Sequence, residues 1–124
     1  MRVLIADAQK DVGLNLATLV ERCGHEVLLV VGSGLEAIQA YARLKPDLVL
    51  MDYSMPRLNG ATASRMILAK DPEAKIVLVS AGGSGPQLAA AGALAILAKP
   101  VELDRLYAAL YDAAPHRPEP SGPL

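Results

Sequence analysis

Asp47-Leu48-Val49-Leu50-Met51-Asp52-Tyr53-Ser54-Met55-Pro56 is the stretch whose reading decides the fold. Leu48 to Met51 form a short, uninterrupted apolar run. A carboxylate, Asp52, follows at once, and Pro56 forbids regular continuation of a strand. A run of that length bounded by turn chemistry reads as a strand buried on both faces, as in a parallel sheet. The carboxyl ends of such strands are where ligands and chemistry gather. Asp52 therefore stands where an α/β fold puts its active site, although Asp is also a common turn former and decides nothing alone.

Outward from this run the same pattern recurs. Val3 to Ala6 is an apolar strand running straight into Asp7. Val12, Leu16, Leu19, Val20 and Cys23 follow at helical spacing, with Gly24 as the stop. Val27 to Val31 is a second strand, and Gly32-Ser33-Gly34 turns the chain. Ser33 with Glu36 makes a capping box that starts a helix, its expected buried face being Leu35, Ile38, Tyr41 and Ala42. Lys45-Pro46-Asp47 ends it. Beyond Pro56, Leu58, Ala63, Met66 and Ile67 predict a third helix, stopped by Asp71-Pro72. Ile76 to Val79 is a fourth strand closing on Ser80. Gly82-Gly83-Ser84-Gly85-Pro86 is irregular, and a short alanine-rich helix from Pro86 through Ala91, stopped by Gly92, is expected to be the most mobile element. Leu94 to Ala98 is a fifth strand, followed by Lys99-Pro100. Leu103, Leu106, Tyr107 and Leu110 define a last helix. Five strands alternating with helices predict a doubly wound parallel sheet with helices on both faces.

The length of 124 residues suits one domain, read here as residues 1–114, with the proline-rich segment 115–124 as a disordered tail or linker. The core must be aliphatic, because the chain has no Phe or Trp. A net charge of −1 gives no electrostatic reason for a nucleic-acid or anionic-membrane partner. Cys23 is the only cysteine, which excludes an intramolecular disulfide and a thiolate metal cluster, and it reads as a buried, inert thiol. The amino-terminal apolar run is too short for a signal peptide or a membrane span, so a soluble, cytoplasmic protein is expected.

Asp7, Asp52, Ser80 and Lys99 each follow a different strand, so a doubly wound sheet would align them along one edge, converging at the switch-point crevice. Two carboxylates in one crevice need a cation, and Mg²⁺ takes one or two carboxylates together with water and phosphate oxygens. A hydroxyl and an ammonium opposite would complete a cradle for a transferred phosphoryl group, chemistry that asks for positioning and charge neutralisation. Each residue also has an ordinary structural explanation: a turn former, a strand-end hydroxyl, a snorkelling amine.

With those residues in place, the chain resembles a receiver domain of a two-component response regulator from Met1 to about Ala114. The resemblance is carried by Val3-Leu4-Ile5-Ala6-Asp7, Pro46 to Asp52, Met55-Pro56, Asn59-Gly60, Ser80-Ala81, Gly92-Ala93 and Lys99-Pro100. It implies a flavodoxin-like sheet in the order 2-1-3-4-5. It further implies that Asp52 accepts a phosphoryl group from a phosphohistidine on a sensor histidine kinase or phosphotransfer protein. Lys99 would pair with the phosphoryl oxygens, and the Ser80 hydroxyl would swing in to bond them. Mg²⁺ would be held by Asp7, Asp52 and the Ser54 carbonyl, and Lys99-Pro100 would be a cis peptide. A homodimer partner or downstream protein would use the 82–114 surface. Such a domain signals and is not itself an enzyme.

Three departures accompany the resemblance. Ala8 stands where the family usually has a second acid that binds the metal directly, so Mg²⁺ should bind weakly. The glycine-rich 82–85 stretch shortens the fourth helix of the family pattern. Ile96 falls where the family often has an aromatic switch residue. These departures motivate an alternative, a pseudo-receiver acting as a constitutive interaction module without metal-dependent phosphorylation. A small flavodoxin-like enzyme or nucleotide binder is a third reading, but neither glycine-rich turn makes a Walker motif or a dinucleotide fingerprint.

Overall fold

The protein is described from a computed structural model, over residues 1–82 and 91–114. The short helix expected from Pro86, most of the glycine-rich stretch and the 115–124 tail lie outside the described residues. Among the described residues, nine elements follow in order: β1 (Arg2–Ala6), α1 (Lys10–Arg22), β2 (Glu26–Val31), α2 (Gly34–Leu44), β3 (Leu48–Asp52), α3 (Gly60–Lys70), β4 (Ile76–Ser80), β5 (Ala95–Ala98) and α4 (Leu103–Ala113). The five strands form one parallel sheet in the order β2-β1-β3-β4-β5.

The two-residue period of a strand explains the layering. Leu4 and Ala6 of β1, Val49 and Met51 of β3, and Ile76 and Leu78 of β4 point to one face, where Ala37, Ala40 and Tyr41 of α2 and Ala61, Ala63 and Ile67 of α3 cover them. Val3, Ile5, Leu48, Leu50 and Val77 point to the other, beneath Leu16 and Val20 of α1 and Leu106 and Leu110 of α4. Every residue of β3 is buried, as expected of the central strand of a sheet covered on both faces. At the edge, β2 is only partly covered, and its register with β1 slips between Val3 and Leu4.

Local chemistry sets the helix starts. The Ser33 hydroxyl accepts the Glu36 N–H at 3.1 Å and donates to the Glu36 carboxylate at 3.1 Å, fixing the start of α2. The Asn59 side chain accepts the Thr62 N–H at 2.8 Å at the start of α3. The buried face of α2 differs from the expected one. Leu35 is 58 % exposed and Ala42 is exposed, whereas Ala37 and Ala40 are buried beside Tyr41. The reason is the roll of the helix, set where the Tyr41 hydroxyl donates to Asp71 at 2.6 Å and Gly34 sits flat against the Leu58 carbonyl. Leu58 precedes α3, Met66 on α3 is exposed, and Leu103 and Tyr107 on α4 are exposed while Leu106 and Leu110 are buried. Cys23 is half-buried against the α1–α4 side of the core, and burial raises its thiol pKa. Among the described residues, no helix is long and apolar enough to cross a membrane.

Candidate functional site

Main-chain hydrogen bonds carry the strand ends into one row. Asp7 N–H bonds Val31 at 2.9 Å, Tyr53 N–H bonds Val79 at 2.8 Å, and Lys99 N–H bonds Ser80 at 3.0 Å. Asp7 and Lys99 therefore leave their strands beside Asp52 and Ser80, the last residues of β3 and β4. The structure brings the first two acids and the lysine together: Lys99 Nζ lies 3.1 Å from Asp7 Oδ2 and 3.2 Å from Asp52 Oδ1. Asp7 and Asp52 are only 1 % and 4 % exposed. One of the Asp7 oxygens also accepts the Gln9 N–H at 2.9 Å, and Asp52 Oδ1 receives a longer contact of 3.4 Å from Ser54 N–H.

The electrostatics follow from this enclosure. Burial and then the neighbouring Asp7 charge push the Asp52 carboxyl above its ordinary value, against the opposing pull of Lys99 and the Ser54 N–H. Burial alone would lower the Lys99 pKa, but its hydrogen bonds and charge contacts with Asp7 and Asp52 outweigh that and raise it. One ammonium faces two carboxylates, leaving the cluster with an excess of negative charge that suits a further cation.

Ser80 is buried, and its hydroxyl oxygen accepts the Gly82 N–H at 3.2 Å. Ser54 is exposed beside Asp52, on the side of the β3–α3 loop, and Ala8 is exposed next to Asp7, with no oxygen on its side chain to offer. Ile96 is half-buried against the α2–α3 side of the core. Lys99-Pro100 is cis. Beside Lys99, a cleft of about 540 Å³ opens between α1 and the β5–α4 connection, lined by apolar Val12, Leu16, Leu19, Pro100 and Val101.

The donor set fits Mg²⁺: two carboxylates already converge on a single positive centre, and a main-chain carbonyl is at hand in the adjoining loop. Among the described residues, no cluster of three or more His, Cys, Asp or Glu is gathered around a common point.

Gly60 is the site contributor that spacing and periodicity did not single out for a role. It is the first residue of α3, and a Cβ there would lie 2.2 Å from the Asp52 carbonyl oxygen. A glycine at a helix start, where most side chains are tolerated, is the available sign of such a close approach.

Comparison with known proteins gives a consistent answer. The family model described as "Response regulator receiver domain" matches residues 3–111. The chemotaxis protein CheY of Listeria monocytogenes is 35 % identical, over 92 % of this chain and 98 % of that protein. CheY of Thermotoga maritima is 38 % identical, over 88 % and 93 % respectively. A response regulator receiver domain protein from Clostridium thermocellum superposes with a TM-score of 0.83 at 26 % identity, covering 90 % of this chain and 92 % of that one.

Proposed function

This chain belongs to the response regulator receiver domain family, and on that premise we propose that Asp52 is its phospho-acceptor. Receiver domains are signalling domains that histidine kinases or phosphotransfer proteins phosphorylate, with Mg²⁺ as the helper ion. The observation that carries the assignment here is the contact of Lys99 with both buried acids. A docking module without phosphorylation would have no use for an ammonium held against an enclosed carboxylate, and the pseudo-receiver reading has no comparable observation in its favour.

In the proposed reaction an Asp52 carboxylate oxygen attacks the phosphorus of a phosphohistidine. A new O–P bond forms as the N–P bond breaks, and the bonding pair stays on the donor imidazole nitrogen. Lys99 pairs with the phosphoryl oxygens, neutralising charge where it accumulates. Ser80 turns its hydroxyl toward the same oxygens. Asp7, Asp52 and the Ser54 carbonyl would hold Mg²⁺, which when bound supplies charge neutralisation for the phosphoryl oxygens. Ala8 makes that binding weaker than two adjacent acids would.

The phosphoryl group adds roughly one and a half to two negative charges at neutral pH. Drawing Lys99 toward it loosens the Lys99–Asp7 contact and so loads the β5–α4 connection. Ile96 already packs inward and carries no hydroxyl, so the response runs through packing rather than through an aromatic hydrogen bond. The largely apolar cleft suits the phosphodonor, because Lys99, which lines it, also contacts the acceptor. For a downstream protein or a second copy, the support lies on α4, where exposed Tyr107 and Tyr111 stack with ring centroids 6.3 Å apart and Leu103 is also exposed.

The test is intact-mass spectrometry after incubation with acetyl phosphate, with and without Mg²⁺, on wild type and Asp52→Asn. A metal-dependent phosphoryl adduct on wild type that is absent from a folded Asp52→Asn protein is the expected result. An adduct that persists in the variant would put the acceptor elsewhere.

A further inference from the structure

We propose that Gly60, locked from below by Ser64, is a positioning residue that sets where the Asp52 carboxylate stands; the proposal rests on Asp52 being the acceptor. Three contacts converge on Gly60. Its N–H donates to the Tyr53 carbonyl at 2.8 Å, tying the first residue of α3 to the residue after Asp52. Its carbonyl accepts the Ser64 hydroxyl at 2.7 Å, and Ser64 is completely buried. Its Cα faces the Asp52 peptide so closely that a Cβ would lie 2.2 Å from the carbonyl oxygen, 2.9 Å from the carbonyl carbon and 3.0 Å from Met51 Cγ.

The first two neighbours are backbone, so no side chain can swing aside to make room. A methyl group at position 60 has to part the start of α3 from the end of β3. Asp52 is the residue at that end, and its carboxylate meets Lys99 at 3.2 Å. Moving its backbone moves that contact with it. Misplacement of a reacting group by about 1 Å can cost on the order of a hundredfold in rate.

Ser64 explains why the joint holds. A buried hydroxyl must find a partner, and within α3 this one takes the Gly60 carbonyl, the residue four positions back. Such a bond pins the first turn of the helix at the place where it touches the acceptor's peptide.

The experiment compares Gly60→Ala, Ser64→Ala and Gly34→Ala. Gly34 is a control of the same kind: a Cβ there would lie 2.8 Å from the Leu58 carbonyl and 3.3 Å from Ala63 Cβ, so Ala strains the packing of α2 on the end of the β3–α3 loop and on α3 without touching Asp52. Labelling by acetyl phosphate with Mg²⁺ is followed by intact mass, at a temperature where circular dichroism shows each variant folded. Crystal structures of wild type and Gly60→Ala report the Asp52–Lys99 separation. The expected result is Gly60→Ala labelled at least tenfold more slowly with that separation lengthened, Ser64→Ala slowed severalfold, and Gly34→Ala labelled at the wild-type rate. Wild-type labelling of a folded Gly60→Ala, or equal slowing in Gly34→Ala, overturns the proposal. If Gly60→Ala does not fold, Ser64→Ala decides: slowed labelling supports the joint and the wild-type rate overturns it. If wild type takes no label, the acceptor assignment fails, and the crystallographic separation alone decides the positioning, an unchanged distance overturning it.

Discussion

Replacing Lys99 by Met keeps the aliphatic stem and removes the charge that faces both acids. At 3.1 and 3.2 Å each attraction is worth roughly 5 kcal/mol at an effective dielectric constant of about 20. The cost of taking the ammonium out of water offsets much of this, and the Lys99 side chain remains 19 % exposed. Breaking one partner out of a buried pair costs about 3–5 kcal/mol, and the residual exposure places Lys99→Met near the lower end, about 3 kcal/mol. Urea titration followed by circular dichroism at neutral pH measures it directly. Millimolar Mg²⁺ should return more stability to Lys99→Met than to wild type, because the cation then answers two carboxylates that no ammonium contests. A variant within about 0.5 kcal/mol of wild type, the range of an ordinary surface substitution, would refute the claim that Lys99 holds the buried acids in place. So would an equal response of both proteins to Mg²⁺.

Two further outcomes are expected. Ala8→Asp should tighten Mg²⁺ binding by about tenfold, since hard-cation affinity follows ligand charge; calorimetry measures it, and an unchanged constant would mean position 8 does not reach the metal. Asp71 has its carboxyl pKa lowered, first by the Tyr41 hydroxyl and then by the Glu73 N–H, although burial acts in the opposite direction. A lowered folded-state value adds stability above the unfolded-state pKa, and that stability is lost as pH falls through the lower folded value. Asp71→Asn should therefore flatten the acid limb of a melting-temperature profile below about pH 5, and an acid limb as steep as that of wild type would count against the Tyr41–Asp71 contact.

The element order and the strand-end row were legible because apolar runs and turn residues alternate sharply along this chain. Asp7, Asp52, Ser80 and Lys99 could be named as a group because a parallel sheet puts the ends of its strands on one edge. The sheet order came from the family resemblance, and the pairing of strands bears it out. Helix roll was less legible. Leu35 and Ala42 fit an apolar spacing as well as Ala37 and Ala40 do, and distant partners, Asp71 for Tyr41 and the Leu58 carbonyl for Gly34, settle which stripe turns inward. The tightness around Gly60 left only one sign, the glycine itself at a helix start, because a close approach between two backbones leaves no periodic trace in side chains.

The sheet divides the interior into two aliphatic compartments, one beneath α2 and α3 and the other beneath α1 and α4. Alternate residues of the same strand belong to different compartments, so Leu50 and Met51 are sequence neighbours with separate packing partners. Substitutions in opposite compartments should combine with little coupling where their side chains share no neighbours. Each half of the core can then drift in sequence on its own terms. The row of polar residues at the strand ends has no such freedom, since Asp7, Asp52 and Lys99 answer to one another across three different strands.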